Sequence, residues 1–265
     1  MTIESEGWAL LRGFLAPAEV AKLQARAEAV AQEPEHGACV RPNNRLLPLR
    51  WSDPAVATAL SSTHRRGRLA RAVAATDLRW ISGYVSTKPA FSGALPWHQD
   101  WWCWRHPVSM QRRPAQIVVA CYLSATDAGN GALRVVPGSH RRRMRAHDRA
   151  FDLANMVGIA SVESDDMPEQ VTIAAEPGDA VAMDYRLLHG THANATAVRR
   201  DAILLNFAPH WSDLPAELRS HLIQHPALPG RHERASATVR WLPSFSGKRR
   251  SLRLVRDVPV DFRSR

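Results

Sequence analysis

Between residues 78 and 208 the chain is cut into short runs of β-branched and aromatic residues, and this punctuation limits the possible folds more than any other feature. The runs fall near 78–85, 116–123, 132–136, 179–185 and 201–208, separated by clusters of Gly, Pro, Asn and Asp. Such side chains suit a pleated, half-buried surface, and the runs are short for helices. Gly129-Asn130-Gly131 and Pro177-Gly178-Asp179 are turn signals between them. Many short strands so spaced imply a mainly β fold with flanking helices, its core a double-stranded β-helix of the jelly-roll, cupin-like kind whose two sheets enclose a pocket. A helix is expected earlier, over residues 17–31. Pro17 suits its first turn, Glu19 its positive end, and Val20, Leu23, Ala27 and Val30 recur at helical spacing. Residues 141–170 show no period and contain Glu163, Asp165 and Asp166, which reads as a loop or lid insertion.

Composition narrows the class. An apolar fraction of 45% with 23% charged residues is that of an ordinary globular chain, and 265 residues can bury a sizeable core in one domain. No apolar run approaches a membrane span, and Met1-Thr2-Ile3-Glu4-Ser5-Glu6 is acidic where a secretory signal would be basic, so the expected setting is the cytoplasm. Cys39, Cys103 and Cys121 are widely spaced, as reduced thiols would be. The net charge of +10 raises the possibility of nucleic-acid binding, with basic runs at Arg141-Arg142-Arg143-Met144-Arg145 and Lys248-Arg249-Arg250-Ser251-Leu252-Arg253. The arginines are spread through the whole chain, however, and short basic runs are weak motifs. They read as solvated charge, with a small-molecule substrate rather than nucleic acid or membrane as the partner. Oligomeric state is left open.

The residues that carry chemistry centre on Trp97-His98-Gln99-Asp100, with His189 and Arg200 further on. If 96–100 is extended, His98 and Asp100 project to one face and Gln99 to the other. A second histidine from a distant strand then completes two nitrogens and one oxygen, the facial set that suits non-haem Fe(II) because it leaves adjacent positions open. His-x-Asp alone is weak evidence: in a chain with 12 histidines, chance gives roughly one such triplet. Four of the nine tryptophans, Trp97, Trp101, Trp102 and Trp104, crowd this segment. If the strand continues, Trp102 and Trp104 share the face of His98 and Asp100 and compete between core packing and lining a substrate pocket. Tyr84 and His192 are further pocket candidates. His106, His140 and His147 are read as structural or exposed.

The triplet keeps specific company: Asn130-Gly131-Ala132-Leu133-Arg134-Val135-Val136-Pro137-Gly138-Ser139-His140, then Pro177-Gly178-Asp179-Ala180-Val181, then His189-Gly190-Thr191-His192-Ala193-Asn194, then Arg200 opening an apolar run. In this order the segments resemble the phytanoyl-CoA dioxygenase-like family of Fe(II)/2-oxoglutarate oxygenases, from Gly7-Trp8 to about Trp211. The resemblance implies one oxygenase domain over 1–265, with its core at about 7–211 and a C-terminal extension, 212–265, of open role. It implies that His98, Asp100 and His189 hold iron and that Arg200 pairs with the distal carboxylate of 2-oxoglutarate, for which a planar guanidinium is suited. Arg199 is the rival, and alternation prevents both arginines from facing one way. Lys88, in Lys88-Pro89-Ala90-Phe91-Ser92-Gly93, resembles a Lys-Pro segment of the family that reaches the co-substrate. Thr191, Asn194 and Gln99 fall at family positions near the oxoglutarate or the metal, though satisfying a loop backbone is an equal use for each.

The implied cofactors are Fe(II), 2-oxoglutarate as co-substrate, and O2, and the implied reaction is hydroxylation of an unactivated C–H bond with release of succinate and CO2. Relatives that halogenate have a small residue where Asp100 stands, so the carboxylate here implies hydroxylation or a related oxidation. A net positive field would help gather dianionic 2-oxoglutarate. Two competing functions share some of these residues: a cupin-like metalloprotein with hydrolase or isomerase activity, and a non-catalytic basic binding protein.

Overall fold

The computed structural model of the protein describes residues 2–33, 39–41, 43–144, 147, 165–230, 239–256, 259 and 262. Its strands form two antiparallel sheets that face each other. The larger runs β1 (Trp8–Leu11), β9 (Ala180–Asp184), β6 (Ile117–Tyr122), β11 (Arg200–Ala208), β4 (Arg79–Lys88), β3 (Asn44–Leu49) and β2 (Cys39–Arg41). The smaller runs β5 (Leu95–His98), β10 (His189–Thr191), β7 (Leu133–Val135) and β8 (Val171–Ile173). From β4 to β11 the chain passes back and forth between the sheets, which is the double-stranded β-helix that the strand punctuation implied. Strands β1, β2 and β3 widen the larger sheet and were not anticipated.

Period-two alternation decides what each face of the larger sheet meets. Along β11, Ile203, Leu205 and Phe207 pack against the helices, with Ile117, Val119 and Cys121 of β6 beside them. The intervening Val118, Tyr122 and Ala202 face the smaller sheet and pack on Leu133, Val135 and Ile173. Arg200, in step with Ala202, therefore starts its strand on the inter-sheet side.

The helical layer follows from the same apolar spacing. After the one-turn α1 (Ile3–Glu6), helix α2 (Pro17–Gln32) buries Val20, Leu23, Ala27 and Val30, and Glu19 accepts the Ala16 N–H at 2.8 Å, satisfying a donor ahead of the first turn. Two shorter helices, α3 (Pro54–Leu60) and α4 (Thr63–Ala72), extend the layer, each started by a side-chain cap, from Asp53 and Ser62 respectively. A second apolar cluster lies apart from these. It gathers Trp101, Trp102 and Trp104 with Trp211, with Leu218 and Leu222 of α5 (Ala216–Leu222), and with Phe262. The stretch beyond Trp211 thus packs onto the segment that carries Asp100. Of the expected lid, 145–146 and 148–164 lie outside the described residues. Its end is anchored, because Asp166 pairs with the buried Arg134 at 3.0 Å and the Asp165 carbonyl accepts the Trp97 indole N–H at 2.9 Å.

Candidate active site

Strands β5 and β10 lie side by side, and the register sets His98 directly opposite His189. Their rings are 4.1 Å apart between centroids. Gly190 permits this approach: a Cβ there would stand 2.7 Å from the Leu95 carbonyl oxygen across the pair. Each imidazole donates its Nδ1–H to a backbone carbonyl two residues earlier, His98 to Pro96 at 2.7 Å and His189 to Leu187 at 2.9 Å. Those bonds fix ring orientation and tautomer, leaving both Nε2 lone pairs available for a metal. Asp100 closes the set, its carboxylate oxygens 3.9 Å from His98 Nε2 and 3.7 Å from His189 Nε2.

One donor atom from each of the three lies within 4.8 Å of the other two. Two nitrogens and one oxygen meeting on one side fit Fe(II), with positions left for other ligands. The route to this geometry differs from the expectation. Strand β5 ends at His98, so Asp100 arrives on irregular chain and not by continued alternation. Past the break, Gln99 turns to the Arg186 carbonyl and to His147 Nε2 at 3.3 Å, away from the metal set.

Behind Asp100 and His189, between the sheets, is a cavity of about 70 Å³. Tyr122, Thr191 and Arg200 line it as well. Arg200 is buried, donates from Nη2 to the Gly131 carbonyl at 2.8 Å and lies 5.7 Å from the Tyr122 ring centroid. Its Nε–H and the Thr191 hydroxyl are buried without a hydrogen-bond partner among the described residues. Orphaned donors of this kind are rare unless something polar belongs beside them, and a carboxylate would satisfy both. Burial lowers the Arg200 pKa, but a guanidinium keeps its charge. Arg199 points the other way, ion-paired to Asp201 at 2.7 Å and Glu28 at 2.8 Å.

Lys88 pairs with Arg200 across β4 and β11 but does not line the cavity. Fully buried, it donates from Nζ to the carbonyls of Gly93 at 2.6 Å and Asn43 at 3.2 Å. Burial, then the charges of Arg200 and Arg134, pull its pKa down to about 7. Gly131, at φ +90°, makes room for this stem, since a Cβ there would meet Lys88 Cδ at 2.6 Å. Asn194 is also occupied elsewhere. Its amide donates to Pro89 and Val198 carbonyls at 3.0 and 2.8 Å, and its Oδ1 accepts from Thr196 N and Oγ1 at 3.1 and 2.7 Å. The loop absorbs the whole side chain.

On the other side of Asp100 is a larger cavity of about 390 Å³. Trp102 and Tyr84 line it, as expected of pocket residues. Trp104 and His192 do not. The strand on which the Trp104 expectation rested has ended, and the ring packs edge-on against Phe262 at 4.7 Å. His192 Nε2 hydrogen-bonds Thr172 Oγ1 at 2.7 Å beside β8. Among the polar residues of this wall that were absent from the sequence reading are Asn206, His221, His225 and Arg256. Three belong to the extension beyond Trp211. Only the four-residue spacing of His221 and His225, one helical turn, hinted at a shared face.

Comparison with known proteins agrees with this architecture. The phytanoyl-CoA dioxygenase (PhyH) family model matches residues 3–202, and the chain belongs to that family. An ectoine dioxygenase of Nocardia farcinica is 27% identical over 228 residues, covering 78% of this chain and 75% of its own. An L-proline trans-4-hydroxylase of Streptomyces griseoviridis is 28% identical over 141 residues, 46% of this chain and 52% of its own. Among solved structures, EctD from S. alaskensis with 2-oxoglutarate and 5-hydroxyectoine superposes with a TM-score of 0.56 at 20% identity, covering 80% of this chain and 75% of that one. HygX from Streptomyces hygroscopicus with nickel and 2-oxoglutarate gives a TM-score of 0.58 at 18% identity, over 78% and 84% of the two chains. The protein is accordingly an iron- and 2-oxoglutarate-dependent dioxygenase, using O2. This sets aside the hydrolase, isomerase and binding-protein readings. Among the described residues, no helix is long and apolar enough to cross a membrane.

Proposed function

We propose that the protein hydroxylates an unactivated C–H bond of a small metabolite, converting 2-oxoglutarate to succinate and CO2. One observation carries the reading: Asp100 lines both cavities, so a co-substrate in the inner one and a substrate in the outer one meet at the same three donor atoms. His98, Asp100 and His189 hold the iron, and Arg200 with Thr191 receives the far carboxylate of 2-oxoglutarate. When bound, the metal, the keto acid and O2 supply the oxidising power. The chain's own work is placement. The Nδ1–H bonds hold the imidazoles in one orientation, the sheets keep bulk water from the inner cavity, and the outer cavity sets which C–H faces the metal. Lys88, opposite Arg200 across β4 and β11, packs its stem against Gly131, whose carbonyl accepts from Arg200.

That relatives in the family act on ectoine and L-proline supports a small-molecule substrate, and the outer cavity volume is of that scale. That His221, His225 and Arg256 line the outer cavity supports reading the C-terminal extension as part of the same oxygenase unit. The test is succinate formation by protein supplied with Fe(II), ascorbate and 2-oxoglutarate. Slow succinate release without substrate, lost in His98→Ala with the fold retained by circular dichroism, is the expected result. Undiminished 2-oxoglutarate consumption by that variant would refute the ligand assignment.

A further inference from the structure

The outer cavity has an unbalanced charge. Among the described residues its lining contains one carboxylate, Asp100, and one guanidinium, Arg256, together with the imidazoles of His221 and His225. If Asp100 is committed to the metal, a cation and two hydrogen-bonding rings remain with no acid among the described residues to answer them. Arg256 makes no ion pair with any described residue, and its Nε–H is shielded from solvent without a hydrogen-bond partner among them. An unmatched, desolvated guanidinium donor is costly to keep and cheap to satisfy with a carboxylate, which can bond Nε and a terminal nitrogen side by side.

Arg256 is also held in place. Residues 254–256 run beside 102–104, with Val255 N–H donating to the Trp102 carbonyl at 2.7 Å and Trp104 N–H donating to the Val255 carbonyl at 3.1 Å. The imidazoles are similarly fixed. His221 Nδ1 accepts the Leu252 N–H at 3.1 Å and His225 Nδ1 accepts the Ala227 N–H at 3.1 Å, so in each neutral ring the proton sits on Nε2 as a donor. Burial lowers both histidine pKa values, which keeps the rings neutral near pH 7 and leaves Arg256 as the cation. The His221 ring lies 4.5 Å from Trp102, so the polar group and an aromatic wall are adjacent.

We infer that the substrate is a small organic acid whose carboxylate is received by Arg256, with His221 and His225 as auxiliary donors, so that its carbon skeleton lies between this wall and Asp100. The inference rests on the oxygenase reading for the identity of the outer cavity as the substrate pocket. It assigns the C-terminal segment a specificity role that the iron-binding strands do not have.

Size-matched probes test it. Protein loaded with Ni(II) in place of iron and saturated with 2-oxoglutarate is titrated calorimetrically with cyclohexanecarboxylate and benzoate, and with the neutral cyclohexanecarboxamide and benzamide. Saturation keeps the probe acids out of the inner cavity. The acids should bind at least tenfold more tightly than their amides. Arg256→Gln should bring each pair within twofold, and Arg256→Lys should restore part of the preference, which a merely misfolded wall would not do. Equal binding of acid and amide, a preference that survives in Arg256→Gln, or no binding by either acid would overturn the inference. Failure of the metal-loaded protein to bind 2-oxoglutarate would instead sink the oxygenase reading, and the acid preference would then be judged on protein without it.

Discussion

The inner and outer cavities share Asp100 and the sheet residues Leu46, Val118 and Leu204, and differ in how their remaining walls are built. The inner one is walled by strands in register: Arg200 sits opposite Lys88, and His189 opposite His98, so its polar groups are set by backbone ladders. The outer one takes one wall from the larger sheet, Ile81, Tyr84, Leu204 and Asn206 among it. The other walls come from the Trp102 segment, from His221 and Leu222 at the end of α5, and from irregular chain at His225, Leu254 and Arg256. Strand-borne groups can be placed within narrow limits, whereas loops on a rigid support vary without disturbing the core. On the proposed reading, the contrast separates what every reaction at this centre requires from what chooses the molecule oxidised.

Four measurements can break or sharpen that contrast. The largest effect is expected at the junction. His98→Ala removes one of three donors and should weaken metal binding by more than the roughly 100-fold that loss of an outer hydrogen-bond partner can cost. Equilibrium dialysis against Fe(II) or Ni(II) reads it, and near-native affinity would mean that the three donors do not act as one site. Next is Arg200→Leu, which should raise the Kd for 2-oxoglutarate by about 2–4 kcal/mol, the scale for leaving a charged partner unmatched. Metal affinity should be unchanged. If both fall together, the inner cavity is not a separate compartment.

Asn194→Ala should act on the scaffold alone. Losing four loop hydrogen bonds is expected to cost about 1–3 kcal/mol of stability by denaturant unfolding, with 2-oxoglutarate affinity kept within twofold. A large loss of affinity would return Asn194 to the co-substrate. The smallest effect concerns Lys88. Its folded pKa of about 7 lies below the ordinary 10.5, so between those values the unfolded chain holds the extra proton and stability from this group rises with pH. The contribution is complete above 10.5 and is lost as pH falls through about 7. Relative to Lys88→Met, the wild-type protein should gain at most about 1.4 kcal/mol over the single unit between about pH 8 and pH 9, inside that window. A flat difference would mean that the amine is not desolvated.

Much of the inner cavity was legible from residue order, because strands translate sequence directly into facing. The run near 201–208 became Arg200–Ala208, and alternation sends Arg199 outward and Arg200 inward. Helix 17–31 appears as Pro17–Gln32 for the reason its spacing gave. Where the strand stopped, so did the inference. Ending β5 at His98 removed the basis for placing Trp104 in the pocket and gave Asp100 a route that periodicity does not describe. Lys88 and Asn194 sat at suggestive positions, yet nearby carbonyls and, for Asn194, the Thr196 N–H and hydroxyl claim their polar atoms, and sequence spacing does not reveal such local competition. The outer wall was the least legible part. Arg256 reaches the cavity through two backbone hydrogen bonds to residues about 150 positions earlier, and backbone pairing leaves no mark on side-chain identity.

The direct opposition of His98 and His189 has a mechanical consequence. An ion gripped by both would act as a rivet across two strands whose histidines are 91 positions apart, in the smaller of the two sheets. Occupancy at 100 times the dissociation constant adds about 2.7 kcal/mol to the folded state. Stripping the protein with a chelator should therefore loosen more than the chemistry: amide exchange at β10 should quicken first, while β11, clasped between β4 and β6, keeps its protection.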